Sequence, residues 1–393
     1  MTPNIPMSSP DLTEKERQAV QNVLNTPILS MGHWIVDFEK SFRDLTGAGH
    51  AVGVSSGTAG LHLCVRAAHI EEGDLVITTP FSFVASANVL LYENAVPIFV
   101  DVNPRTGNMD AKLASQATHD LCEGGSVAEK WLPRKGAGVR RTLKAILPAD
   151  VFGQPADLDP IRKLADDYHL SMIEDACEAL GAEYKGKPAG TFGDYAVYAF
   201  YPNKQITTGE GGVVITNDTN GADMMRALRN QGRAPGDTWL QHTFLGYNYR
   251  LDEMSAALGV VQMSRLGELL DKRARVANWY TERLSEIPGV LVPVIEPSTT
   301  RMSWFVYVVR FDAKVDRGEL AKRLEARGIA VRPYFLPIHL QPYMQERFGY
   351  REGDFPVTED LGKRGLALPF SGVMTEEQVE IVCAALRAEL LNS

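Results

Sequence analysis

Short apolar runs alternate with helical stretches through the first half of the chain, and this alternation constrains the fold more than any other feature. The runs at 51–54, 75–79, 96–100, 143–147, 170–173, 195–200 and 213–216 are too short for buried helices and read as strands. Between several of them lie helical patterns, at 59–68, 84–92 and 158–167. Strand, helix and strand in succession make a parallel pair joined by a right-handed crossover. The first half therefore predicts a mostly parallel sheet covered by helices on its faces.

The second half changes rhythm. From residue 251 the periodicity is helical and runs to about 284, with room for one break. A strand with alternating aromatics follows at 304–310, then a helix at 317–327 and a strand at 329–333. Thr375 and Gln378 cap a final helix that runs through 391, as Thr13 and Glu16 cap the first one, which ends near 24. We divide the chain into a large α/β domain at 1–255 and a linking helix with a smaller α+β domain at 256–393. With 393 residues, both can bury a core.

Charge and cysteine usage narrow the function. The net charge of −9 argues against nucleic acid or an anionic membrane surface as a partner. Cys64, Cys122, Cys177 and Cys383 are scattered, without metal-ligand spacing, so a reduced cytoplasmic protein without structural zinc is expected. No apolar run reaches the ~18 residues of a membrane helix, and no secretory leader pattern opens the chain.

Two charged groups stand where strands end, the position at which open α/β sheets place ligands. Asp175 closes the run at 170–173 with Glu174, and Lys204 follows the run at 195–200, ahead of Gly209, Gly211 and Gly212. Read locally, each is equally a capping or solvated residue. Facing each other across neighbouring strands, they could serve pyridoxal phosphate, the lysine as a Schiff base and the acid at the pyridine nitrogen. Ser55, Ser56, Gly57 and Thr58 join a strand to a helix N-terminus, a seat for a phosphate or simply a capped helix start. Phe81 and Phe83 lie at the next strand-to-helix junction. The basic run from Lys130 through Arg134 to Arg141 is a solvated surface or a clamp for a substrate diphosphate. The glycine- and aromatic-rich stretch at 231–249 is too long for a simple connection.

Taken in order, Ser55–Gly57–Thr58, Gly153–Gln154–Pro155, Glu174–Asp175–Ala176, Tyr201–Pro202–Asn203–Lys204, Gly209–Glu210–Gly211–Gly212 and Gly246–Tyr247–Asn248–Tyr249–Arg250 resemble the DegT/DnrJ/EryC1/StrS sugar aminotransferases. The resemblance runs from about Pro6 to the last helix. It implies the type I pyridoxal-phosphate aminotransferase fold, with a mostly parallel seven-stranded-type sheet and a smaller C-terminal α+β domain. It implies a homodimer with shared active sites, an amino-acid donor (glutamate or glutamine), and a nucleotide-linked keto-sugar as acceptor, aminated at C4 for amino-sugar or polysaccharide biosynthesis. Lys204 would be catalytic and bind the cofactor, with Gly57 and Thr58 on the phosphate and Phe83 stacked on the ring. Asp175 would sit at the ring nitrogen, Glu178 near the ring hydroxyl, and Asn248 would reach the partner's phosphate. Arg250 and His339 match positions near the substrate.

Two positions depart from the family pattern. Ala199 stands where many relatives place a phosphate-binding serine. Glu178 stands where glutamine or histidine is usual, and its charge would oppose a phenolate. A keto-cyclitol aminotransferase and a non-catalytic sugar-responsive regulator are the alternative readings on the same scaffold.

Overall fold

A computed structural model describes residues 4–138 and 142–391. Its main sheet contains β1 (His50–Val54), β2 (Leu75–Thr78), β3 (Val96–Phe99), β4 (Leu143–Ile146), β5 (Ser171–Asp175), β6 (Tyr195–Ala199) and β7 (Gly212–Thr216). Their spatial order is β1-β7-β6-β5-β4-β2-β3. Strands β2 to β6 pair in parallel, whereas β7 runs antiparallel to both neighbours, β1 and β6. The link from β6 to β7 contains no helix, so the chain turns back beside itself instead of crossing over.

Alternate residues of each strand enter opposite cores, as the strand period of two requires. Val76, Ala145, Ile173, Val197 and Val214 face α3 (Gly57–Ala67) and α4 (Ala85–Tyr92). On the other face, Ile77, Ile146 and Met172 pack with Leu158 and Ile161, while Tyr198 and Val213 meet Phe38 and Phe42 of α2 (His33–Thr46). Both faces are covered, which is why these strands read as continuous apolar runs.

Past the sheet, the expected long helix is divided into α5 (Glu253–Ser264) and α6 (Leu266–Leu284). The break falls at Arg265, whose guanidinium is held by Glu16 at 2.7 Å and Asp11 at 2.8 Å, tying the first helix to the junction. A three-stranded antiparallel sheet follows, Val290–Leu291 beside Tyr307–Phe311 beside Gly365–Leu368. With α6 and the final helix Glu376–Leu391 it encloses a second core. Ile5 is buried in that core, so the start of the chain packs with its end.

Several expectations need correction. The strand placed at 304–310 begins only at Tyr307, because the Ser303 and Phe305 amides bond instead to Gly153 and Phe152 carbonyls. The strand placed at 329–333 is reduced to isolated bridges, Ile329 with Ile5 and Arg332 with Ala367. The helix Pro356–Arg364 and the strand after it had no sequence expectation. Within 111–143, Asp110 caps a helix over Ala111–Glu123. In the basic run, Lys130 pairs with Asp120 at 2.7 Å and Arg134 with Asp354 at 2.5 Å, as residues of a solvated surface do. Both cations are used to fix this segment to its own surroundings. Arg140 and Arg141 lie outside the described residues.

Candidate active site

The C-terminal ends of β4, β5 and β6 open into a cavity of about 470 Å³. It is lined by Gly57, Thr58 and Phe83 on one side, Asp175, Glu178 and Lys204 on another, and Phe305 and Tyr334 from the second half. The structure thus gathers six of the residues expected at the site. Phe83 is 62% exposed and presents its ring at the mouth.

The cradle at the N-terminus of α3 is shaped by what it lacks. Ser56 is the N-cap, accepting the Ala59 amide at 3.1 Å, which leaves the Gly57 and Thr58 amides at the open end of the helix. A Cβ on Gly57 would lie 2.7 Å from Ala199 Cβ and 2.9 Å from Cys177 Sγ, so only glycine lets the turn sit this close. Free amides and the positive dipole end suit a phosphate.

The acidic pair at the end of β5 divides its labour by strand alternation. Glu174 points away from the cavity and accepts the amides of Gly190, Phe192 and Gly193, at 2.5, 3.0 and 3.1 Å. Asp175 lines the cavity, where Oδ2 accepts the Ser86 hydroxyl at 2.6 Å and Oδ1 the Cys177 amide at 3.2 Å. Behind them Asp150 is fully buried, and burial with the adjacent Glu174 charge pushes its carboxyl well above the usual range.

Lys204 follows a turn closed by its own amide on the Tyr201 carbonyl. Its Nζ lies 3.7 Å from the Phe305 ring centroid and 3.6 Å from Glu178 Oε1. The second carboxylate oxygen of Glu178 accepts the Phe152 amide at 2.9 Å. Burial pushes the Glu178 carboxyl up, with the Lys204 ammonium pulling the other way. Tyr334 is pushed up to about 12 by burial and stays a hydroxyl donor at the cavity wall.

Three expected residues lie elsewhere. Asn248 is exposed and bridges Asn230, outside the cavity of its own chain. Arg250 donates to Asn230 Oδ1 at 3.0 Å. His339 is fully buried, with Nε2 2.9 Å from Glu359 and its ring against Phe355, and it does not line the cavity. Sequence reasoning also missed Ser86, Phe305 and Arg273. Phe305 was visible only as one of an aromatic run, and no local signal marked the others.

One cavity holds a helix N-terminus with open amides, a carboxylate and a lysine, and these groups fit pyridoxal phosphate. The comparisons give the class directly: the chain is a pyridoxal-phosphate-dependent sugar aminotransferase. It belongs to the DegT/DnrJ/EryC1/StrS aminotransferase family, whose model matches residues 10–387. It is 38% identical over 388 residues to a GDP-perosamine synthase of Caulobacter vibrioides, covering 98% of each chain. Among solved structures it is similar to S. venezuelae DesV, with a TM-score of 0.86 and 31% identity over 99% of both chains. DesI, determined in the presence of its TDP-sugar product, superposes with a TM-score of 0.84 at 29% identity, over 99% of this chain and 93% of that one. Among the described residues no helix is long and apolar enough to cross a membrane.

Proposed function

We propose that this enzyme transfers an amino group from glutamate or glutamine to C4 of a nucleotide-linked keto-sugar, as a cytoplasmic homodimer. The observation that carries this is Lys204 and Asp175 meeting the Gly57 cradle in one cavity. The nucleotide and the C4 position are supported by relatives named for GDP- and TDP-linked sugars and for perosamine. The cytoplasmic reading is supported by four cysteines that are all free.

Each residue then has a task. The amides of Gly57 and Thr58 would hold the phosphate, and Phe83 would pack against the ring. Asp175 holds a proton on the ring nitrogen, and Ser86 fixes the angle of its carboxylate. When bound, the cofactor accepts the electron pair left as the donor's α-proton departs. Lys204 Nζ takes that proton, and returns one on the acceptor half of the reaction. Phe305 walls this amine from water.

The dimer reading rests on exposed apolar surface around the loop that carries Asn248. Trp239, Leu240 and Leu245 are each more than three-quarters exposed, and Ile28, Leu29 and Met31 add to the apolar surface. A second copy would cover them and bring Asn248 to its partner's cradle.

The test is spectral and then preparative. The purified protein is expected to show an absorbance band near ~410–430 nm that moves to ~330 nm with glutamate, and Lys204→Ala to show no such turnover. The glutamate-treated enzyme is then offered GDP- and TDP-linked 4-keto-sugars beside a keto-cyclitol. Turnover of the cyclitol ketone alone would defeat the sugar-nucleotide reading.

A further inference from the structure

Arg273 reaches the loop that carries Lys204. It projects from α6, is 5% exposed, and its guanidinium meets main-chain carbonyl oxygens instead of a carboxylate. Nη2 donates to the Asn203 carbonyl at 3.0 Å and to the Lys204 carbonyl, while Nη1 donates to Trp304 and Phe305 carbonyls, each at 3.2 Å. One planar fork therefore joins two loops from opposite halves of the chain. These are the loops whose side chains meet in the cavity, Lys204 Nζ over the Phe305 ring.

Burying a guanidinium without a counter-charge is costly, and burial lowers its affinity for the proton to a pKa of about 10. Its charge-assisted hydrogen bonds to four carbonyl oxygens offset that cost. The fork offers something an apolar residue cannot: it donates to four carbonyls at once and so ties the Lys204 backbone to the Phe305 backbone.

We propose that Arg273 is a positioning residue for Lys204, holding its amine against Phe305 at the place where it bonds covalently to the cofactor. This rests on the reading of Lys204 as the cofactor-binding lysine. The predicted signature is selective. Pyridoxal phosphate uses the cradle, Asp175 and the lysine, whereas pyridoxamine phosphate uses the cradle and Asp175 alone. Misplacing Lys204 therefore weakens the first and spares the second.

The experiment measures the dissociation constants of both cofactor forms for cofactor-free wild type, Arg273→Lys, Arg273→Gln, Lys204→Ala and the Lys204→Ala/Arg273→Lys double variant. Folding is checked by circular dichroism and melting temperature. Arg273→Lys keeps the charge but loses the fork. It is expected to weaken pyridoxal phosphate at least tenfold while pyridoxamine phosphate stays within twofold, with Arg273→Gln losing more. In the Lys204→Ala background the Arg273→Lys change is expected to add nothing. Equal loss of both forms, or unchanged pyridoxal phosphate binding, overturns the proposal, as does failure of both single Arg273 variants to fold. Lys204→Ala that still binds pyridoxal phosphate as tightly as wild type would instead overturn the reading of Lys204 itself.

Discussion

Ala199→Ser should tighten cofactor binding, and the structure sets how much. Ala199 ends β6 and lines the cavity, with its Cβ 2.7 Å from where a Cβ on Gly57 would stand, so it faces the cradle directly. Ala199 is only partly buried, which leaves room for one added oxygen. A serine hydroxyl there offers a phosphate dianion one more charge-assisted hydrogen bond, a net gain of about 1.5–3 kcal/mol. At 1.4 kcal/mol per factor of ten, that is a dissociation constant lower by about tenfold to a hundredfold. The assay is titration of cofactor-free enzyme, followed by absorbance or tyrosine and tryptophan fluorescence. Because both cofactor forms carry the phosphate, pyridoxal and pyridoxamine phosphate should tighten by the same factor. No change, or a gain confined to the aldehyde form, would refute the placement of the phosphate at Gly57 and Thr58.

Three further outcomes are expected. Ser86→Ala removes a 2.6 Å donor from buried Asp175 and should weaken the cofactor roughly tenfold, corresponding to the ~1–3 kcal/mol of a lost partner, with the fold intact by circular dichroism. Burial raises the Glu178 carboxyl, so its charge develops only as pH climbs past the ordinary glutamate range. Affinity for pyridoxal phosphate, whose ring oxygen is anionic, should fall over that rise, and Glu178→Gln should flatten the profile; a flat wild-type profile would remove Glu178 from the ring oxygen. Glu16 would be raised by burial alone, yet hydrogen bonds from Thr13, Arg265 and Gln262 bring its carboxyl down from the ordinary 4.5 to about 2. A lowered folded-state value means stability that is present above 4.5 and lost as pH falls towards 2. The melting temperature of wild type should drop across that window, and Glu16→Gln should drop less; parallel curves would show that the network does not contribute to acid stability.

What the sequence determined by itself was the layered sheet and the residues with chemistry on them. Short apolar runs and strand-to-helix junctions are local signals, and they located β1 to β7, while the ordered motifs of the family resemblance singled out the Ser56-capped turn, Asp175 and Lys204 without any tertiary knowledge. The capping boxes at Thr13 and Thr375 were equally legible, because the reciprocal bonds run over three residues. What only the tertiary structure decided is which side chains meet across long sequence separations. Ser86 finds Asp175 across 89 positions, Arg273 finds Lys204 across 69, and Phe305 comes to the same amine from a run that read as strand. His339 had the residue type of a ligand, yet packing buried it beneath Glu359. The basic run had the composition of an anion clamp, but among its described residues Lys130 and Arg134 had acidic partners of their own. Hydrogen-bond partners are chosen by proximity in the folded chain, and proximity between distant segments is set by how the two cores pack, which no local pattern encodes.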